Sequence, residues 1–143
     1  YEVAQKYGAV IFLISNRSED EREATMKNLL DKGFKIAPEN LILRKDASSK
    51  EARRQMVAEK YYIALVIGDN LADLDKLYDK RSLSERKNAT EQLAPEFGRR
   101  YIVLPNATYG DWEGALYEGK YPKSNQEKDQ KLRQIIQDNQ VDY

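Results

Sequence analysis

The chain has 143 residues, the length of one domain that can bury its own core. Lys and Arg number 24 and Asp and Glu also number 24, so the formal net charge is zero, which argues against a nucleic-acid polymer as partner. Cys and His are both absent, which excludes disulfides, metal sites with thiolate or imidazole ligands, and Ser-His-Asp triads. Catalysis would have to use carboxylates, Lys, Arg, hydroxyl groups or a hard metal ion.

The N-terminal part predicts a short helix followed by a buried strand. Residues 1–7 place apolar side chains at helical spacing, and Gly8 follows as a C-cap. The run Ala9–Ile14 is continuously apolar and rich in β-branched and aromatic residues, which is typical of a strand buried on both faces. This run, like every other apolar run in the chain, is far shorter than the ~20 residues of a membrane span. Polar residues Ser15, Asn16 and Arg17 end the strand.

Two capping boxes predict the next helices. Ser18 with Glu21 opens a helix that ends at Gly33, and Leu41–Leu43 predicts a short strand. A second box, formed by Ser48 with Glu51, places Lys50 in the first turn of a helix that reaches about Lys60. A cation in a first turn opposes the helix dipole and costs a few tenths of a kcal/mol, on the order of 0.3, unless an anion lies nearby.

The second half of the chain repeats this alternation of strands and capped helices. A strand buried on both faces is predicted over Ile63–Ile67, followed by a helix from Ser82 to about Phe97 that Gly98 closes. A further strand is predicted over Tyr101–Leu104. After it come an ordered loop with one helical turn over Thr108–Pro122 and a polar C-terminal helix capped by Ser124 and Glu127. Together the elements predict one α/β domain, residues 1–143, with a parallel sheet and helices on both faces.

Polar residues end each of the three strong strands, at Ser15–Arg17, Asp69–Asn70 and Asn106, and this edge of a doubly wound sheet is where ligands bind. Among them, Asp69 follows a buried strand, and Asp73 lies four residues later, on the same face of a helical turn. Paired carboxylates without His suit Mg²⁺, which in turn suits phosphate chemistry. Alternatively, Asp69 and Asn70 only cap the following helix.

Four ordered segments resemble a known family. They are FLISNR (Phe12–Arg17), the lysine of SSKEARR (Lys50), GDNLAD (Gly68–Asp73) and the region Phe97–Gly119. In this order they are similar to the second, third and fourth motifs and the C-terminal region of the class C acid phosphatases, bacterial surface phosphohydrolases of the haloacid dehalogenase superfamily. The resemblance implies a haloacid dehalogenase-like Rossmannoid fold.

The resemblance also implies roles for individual residues. Ser15 would hydrogen-bond the transferring phosphoryl group, and Lys50 would neutralise the charge of that group. The phosphoryl group would then be the anion that a lysine in a first helical turn needs. Asp69 would bind Mg²⁺, and Asp73 would complete the acidic cluster. Lys45 is a competing candidate for the lysine of the third motif.

Three further residues are candidates for contact with the substrate. Asn16 and Arg17 would lie beside the phosphate pocket. Trp112 could stack on a nucleobase or aryl group, although core packing under a long loop is the more common role of such a residue. The C-terminal resemblance assigns Trp112 no catalytic role.

One motif of the family is missing from this sequence. The family carries DxDxT at the end of a central strand, where the first Asp attacks phosphorus, and no such motif occurs here. We therefore expect the chain to be the C-terminal portion of a longer enzyme, without its central nucleophile strand and inactive as 143 residues alone.

The sequence thus predicts a Mg²⁺-dependent acid phosphatase that hydrolyses small phosphomonoesters through an aspartyl-phosphate on an Asp outside the chain. The resemblance is compatible with nucleoside 5′-monophosphates as substrates and with a homodimer. It is also compatible with an extracellular, cell-surface or periplasmic lipoprotein whose lipid anchor lies outside this chain. The alternative is a non-catalytic module that binds phosphate and metal without turnover. A phosphotransferase or mutase on the same scaffold ranks last.

Overall fold

The computed structural model describes residues 1–138. The chain forms two compact units, Tyr1–Ile63 and the part from Ala64 onward. Within residues 1–138 the helices are α1 (Glu2–Lys6), α2 (Arg22–Asp31), α3 (Glu51–Ala58), α4 (Leu71–Leu74), α5 (Leu83–Gln92), α6 (Asp111–Leu116) and α7 (Asn125–Asp138). The strands there are β1 (Leu13–Ser18), β2 (Leu41–Arg44), β3 (Val66–Gly68) and β4 (Tyr101–Val103).

Both sheets in the described residues are parallel, as the alternation of strands and helices predicts. In the first unit β1 pairs with β2, and in the second unit β3 pairs with β4. The α/β class with parallel strands and flanking helices is therefore confirmed. The prediction of a single domain over residues 1–143 stays a prediction, and residues 139–143 lie outside the described residues.

Two of the predicted strands are displaced along the chain. The strand predicted over Ala9–Ile14 is found at Leu13–Ser18, so Ser15, Asn16 and Arg17 lie inside β1 rather than after it. The ladder pairs Ile14 with Ile42 and then Ser18 with Arg44, which leaves three residues of β1 opposite one of β2. This irregularity is what accommodates a polar segment within the strand.

The strand predicted over Ile63–Ile67 begins three residues late, at Val66, and is not buried on both faces. Ile67 is 57% exposed, because β3 is short and pairs only with β4 in the described part of the chain. A continuous apolar run normally indicates burial on both faces, but for this strand that prediction is wrong.

Of the three capping boxes predicted at Ser18, Ser48 and Ser82, two form and one does not. Ser18 with Glu21 and Ser82 with Glu85 form capping boxes as predicted. The box of Ser48 with Glu51 does not form; Lys50 is the N-cap of α3, and the Ser49 hydroxyl accepts the Glu51 N–H at 3.3 Å. Lys50 thus precedes the helix instead of lying in its first turn.

Two glycines mark helix ends, and one helix is shorter than expected. Gly8 and Gly33 adopt positive φ after α1 and α2. Helix α5 ends at Gln92 rather than near Phe97, because Pro95 forces the chain into a separate 3₁₀ turn, Ala94–Glu96.

Each unit has its own buried side chains. The buried hydrophobic side chains of the first unit are Leu41, Leu43 and Val57, and those of the second are Leu74, Tyr78, Ala89, Tyr101, Ala115 and Tyr117. In the second unit the buried Arg86 of α5 donates to the Tyr78 carbonyl at 3.0 Å and pairs with Asp111, which anchors the start of α6. None of the helices within residues 1–138 is long and apolar enough to cross a membrane.

Candidate phosphate and metal site

The predicted site residues divide between the units, and each group is described within its own unit. Ser15, Asn16, Arg17 and Lys50 belong to the first unit. Asp69, Asp73 and Trp112 belong to the second.

In the first unit the irregular part of β1 holds Ser15 in a local turn. The Ser15 hydroxyl accepts the Arg17 N–H at 3.2 Å, and its own hydrogen remains able to donate to an anion. The Arg17 guanidinium lies 3.4 Å from the hydroxyl of the buried Thr25, which directs it along α2. The polar segment is therefore shaped by its own hydrogen bonds.

One residue joins this segment to the loop before α3. The buried Arg53 donates to the Ser15 carbonyl and to Asn16 Oδ1, both at 2.5 Å, and also to the Ser49 carbonyl at 3.1 Å. Lys50 immediately follows Ser49 and caps α3 while half-buried. Arg53 thus brings together the two segments that carry Ser15 and Lys50.

In the second unit Asp69 follows β3, and both of its oxygens are oriented by amides. Asn106 Nδ2 donates to Oδ2 at 2.8 Å, and Asn70 Nδ2 donates to Oδ1 at 3.2 Å. The hydrogen bond from Asn106 is the main cause that lowers the pKa of Asp69 below its ordinary value, while partial burial opposes it. Asp69 is therefore a carboxylate at neutral pH.

Asp73 lies against the turn that carries Asp69. Its carboxylate accepts the Asn70 N–H at 3.2 Å, and its Cβ would lie only 2.4 Å from a Cβ at Gly68. Glycine at position 68 is what lets Asp73 approach so closely. Asn70 and Asp73 thus cap α4, as the alternative for this motif expected, but Asp69 takes no part in that cap.

The loop after β4 is built around Asn106. The Asn106 side-chain oxygen accepts the N–H groups of Thr108 and Tyr109 at 2.9 and 3.4 Å, and its carbonyl accepts the Trp112 indole N–H at 3.1 Å. A Cβ at Gly110 would lie 1.9 Å from Asn70 Oδ1. This loop is consequently packed directly on the segment that carries Asp69.

Asp69 and Asp73 offer oxygen ligands of the kind that Mg²⁺ prefers. Residues 1–138 contain no group of three or more carboxylates able to hold a metal ion. Mg²⁺ often takes only one or two protein carboxylates and completes its shell with water and phosphate oxygens, so the two residues fit such an ion.

The sequence assigned no role to two residues of this arrangement. Asn106 was visible only as a polar residue after the third strand, and its bond to Asp69 spans 37 positions. Arg53 gave no signal, because an arginine in a helix normally indicates a solvated face.

Comparison with known proteins agrees with the motifs. The family model described as HAD superfamily, subfamily IIIB (Acid phosphatase), matches residues 1–112. A structure of the class C acid phosphatase from Bacillus anthracis is 36% identical, with a TM-score of 0.87 over 99% of this chain and 58% of that one. The same enzyme with tungstate bound is 35% identical, with a TM-score of 0.87 over 99% of this chain and 59% of that one.

The chain therefore spans less than two thirds of the length of these two relatives. The family match covers most of the chain, and the fold of the relatives extends over nearly all of it. By this match the chain belongs to the acid phosphatases of subfamily IIIB in the haloacid dehalogenase superfamily.

Proposed function

We propose that the chain is the part of a Mg²⁺-dependent acid phosphatase that binds the phosphoryl group and the metal ion. The observation that carries this proposal is Asp69, an ionised carboxylate after a parallel strand whose two oxygens are oriented by Asn70 and Asn106. A preoriented carboxylate at the carboxyl end of a strand is typical of a ligand site in α/β proteins. The family match supports the same activity.

Asp69 would bind Mg²⁺, and Asp73 would complete its acidic surroundings. When bound, the ion would neutralise charge on the phosphoryl oxygens. Asp73 also holds the turn of Asp69 through Asn70 N–H, so it contributes to the shape of the site as well as to its charge.

The residues of the first unit would bind the phosphoryl group. Ser15 would donate its hydroxyl hydrogen to a phosphoryl oxygen, and Lys50 would neutralise the oxygen charge from the start of α3. Asn16 and Arg17 would contact the substrate beside it. The tungstate bound by the Bacillus anthracis relative is a tetrahedral oxyanion like phosphate, which supports an oxyanion site in this family.

The nucleophile would be an Asp outside this sequence, and the 143-residue chain alone would be inactive. The proposed substrates are small phosphomonoesters, including nucleoside 5′-monophosphates. Trp112 would face the leaving group, although its indole N–H is already bonded to the Asn106 carbonyl. We also propose a cell-surface, periplasmic or extracellular location with a lipid anchor outside the chain, and a homodimer.

Replacement of Asp69 tests the proposed activity. In the protein as encoded, Asp69→Asn keeps the size of the side chain but removes the charge, and we expect hydrolysis of a phosphomonoester to fall about 10²- to 10³-fold. The measurement is kcat/KM as a function of Mg²⁺ concentration. Asp31→Asn, at an exposed position at the end of α2, is the matched control and should leave the rate unchanged. Equal rates for Asp69→Asn and the parent protein would disprove the proposal.

The second candidate function is a non-catalytic module that binds phosphate and metal. The observation that favours it is that hydrogen bonds within the chain already orient Asp69 and Ser15 for binding. Such a module would bind Mg²⁺ and inorganic phosphate in calorimetric titrations while the same preparation hydrolyses no phosphomonoester. Turnover by the protein as encoded would eliminate it.

A further inference from the structure

Arg53 is a buried cation whose hydrogen bonds go to neutral oxygens. Its side chain lies in the first turn of α3, and the residue is only 8% exposed. One terminal nitrogen donates to the Ser15 carbonyl at 2.5 Å, and the other lies 2.5 Å from Asn16 Oδ1 and 3.1–3.5 Å from the carbonyls of residues 47–49. The acceptors come from two segments that are more than 30 residues apart in sequence.

No carboxylate neutralises this guanidinium within residues 1–138, in contrast to the other buried arginines. Arg54 pairs with Glu51 at 2.7 Å, and Arg86 pairs with Asp111. A buried charge without a counter-ion is costly, and hydrogen bonds to neutral oxygens offset only part of that cost. A guanidinium is nevertheless suited to this place, because its planar fork can bond two separate segments at once.

The uncompensated charge lies where the proposed function places an anion. The Ser15–Asn16 segment carries the hydroxyl proposed to bind the phosphoryl group, and the loop of residues 47–49 leads directly into Lys50. A fixed contact between these two segments also fixes the distance between the Ser15 hydroxyl and the Lys50 ammonium group. Both groups can then act on the same oxyanion. Positioning of this kind accounts for a large share of catalytic rate.

We propose that Arg53 is a positioning residue of the phosphate site, which clamps the Ser15–Asn16 segment to the loop that precedes Lys50. The inference rests on the proposed function, because it assigns the two clamped segments to one phosphoryl group. Arg53 acts through Ser15 and Lys50 and does not itself contact the substrate.

Two substitutions test the clamp in the protein as encoded. Arg53→Met removes the hydrogen bonds, and Arg53→Lys keeps the charge but cannot reproduce the fork. We expect kcat/KM for a phosphomonoester to fall about 10²-fold in both variants, the loss that an ~1 Å misplacement can cause. We also expect the inhibition constant for inorganic phosphate to rise about tenfold or more, in keeping with a mispositioned site.

The inhibition constant separates positioning from stability. A purely structural role would lower the amount of folded enzyme, and therefore the apparent kcat, while KM and the phosphate inhibition constant stayed unchanged. Arg22→Met is the matched control, because Arg22 also donates to main-chain carbonyls of the first unit, those of Pro38 and Leu41 at 3.0 Å, and bonds neither clamped segment. It should lower stability and leave phosphate inhibition unchanged.

The outcomes also distinguish this inference from the proposed function. Unchanged phosphate inhibition in Arg53→Met, or full recovery in Arg53→Lys, would overturn the clamp while leaving the phosphatase intact. If the parent protein shows no turnover, the proposed function fails, and calorimetric titration with inorganic phosphate decides the clamp alone. Weaker binding by both variants would support it, and equal binding, or no binding by the parent protein, would overturn it.

Discussion

Asn106 shows at the scale of one residue how a loop can orient a carboxylate. Its amide nitrogen bonds Asp69, while its side-chain oxygen and carbonyl are bonded by Thr108, Tyr109 and Trp112. Every polar group of the side chain is therefore engaged, and the bond to Asp69 has a fixed direction. Outer partners of this kind matter to a metal site nearly as much as its ligands.

We predict that Asn106→Ala weakens the binding of Mg²⁺ by about 10- to 100-fold, the usual effect of removing an outer partner of a metal ligand. The reason is that Asp69 Oδ2 loses the donor that orients it. The measurement is the Mg²⁺ concentration at half-maximal phosphatase activity, with direct calorimetric titration as a second readout. Asn88→Ala, on the exposed face of α5, should leave both unchanged. An unaltered Mg²⁺ requirement in Asn106→Ala would contradict this role.

At the scale of the element, the start of α5 combines a capping box with a titrating group. The Ser82 hydroxyl accepts the Glu85 N–H at 3.4 Å, and the Glu85 carboxylate accepts the Ser82 N–H at 2.9 Å. The backbone bond from Ser82 is the main cause that lowers the pKa of Glu85 below 4.5. The charged carboxylate therefore stabilises the folded state at a pH above 4.5, and this contribution is lost as the pH falls through the lowered pKa.

We predict that Glu85→Gln lowers the free energy of unfolding at pH 7 and that the difference from the parent protein shrinks between about pH 5 and pH 3. Urea unfolding at several pH values measures both effects. Glu91→Gln removes a carboxylate of the same helix outside the box and should give a smaller difference at pH 7. A difference for Glu85→Gln that stayed constant on acidification would show that its charge does not stabilise α5.

Local and distant interactions explain which elements the sequence could predict. The boxes at Ser18 and Ser82 depend on residues three apart, and both form. The position of β1 depends on its pairing with β2, so the apolar run alone placed the strand four residues too early. The failed box at Ser48 also involves a distant contact, because Arg53, which binds the carbonyls of this loop, is itself bonded to Ser15 and Asn16 of β1.

The same distinction applies to the candidate site. Ser15, Lys50, Asp69 and Asp73 were recognisable because motifs record them in order along the chain. Asn106 and Arg53 act across 37 or 38 positions, and their residue types are common on protein surfaces. A single sequence therefore marks a distant orienting residue at most by its position after a strand, as for Asn106, and gives no mark to one within a helix, as for Arg53.

At the scale of the whole molecule, the charge balance determines how the chain responds to pH. The chain has 24 basic and 24 acidic residues and no His, so no side chain with an ordinary pKa titrates between about pH 5 and pH 8. Below about pH 5 the carboxylates bind protons and the chain becomes a cation. An acid working pH would consequently give the molecule a positive field that attracts phosphate anions.

We predict that the electrophoretic mobility of the 143-residue chain is close to zero and nearly flat from about pH 6 to pH 8, and that it rises steeply towards the cathode below about pH 5. Lys87→Glu, at an exposed position of α5, makes the net charge more negative by two. It should therefore shift the mobility towards the anode over the whole flat region without changing the slope. Lys87→His should instead introduce a slope centred near pH 6.5, because this variant alone carries an imidazole, whereas the α-amino group that all variants share titrates nearer pH 8. If the parent mobility fell across this range by more than the single charge of the α-amino group, the fold would have moved the pKa of a carboxylate or lysine into it. The attraction of phosphate would then depend on that group rather than on the balance of charges.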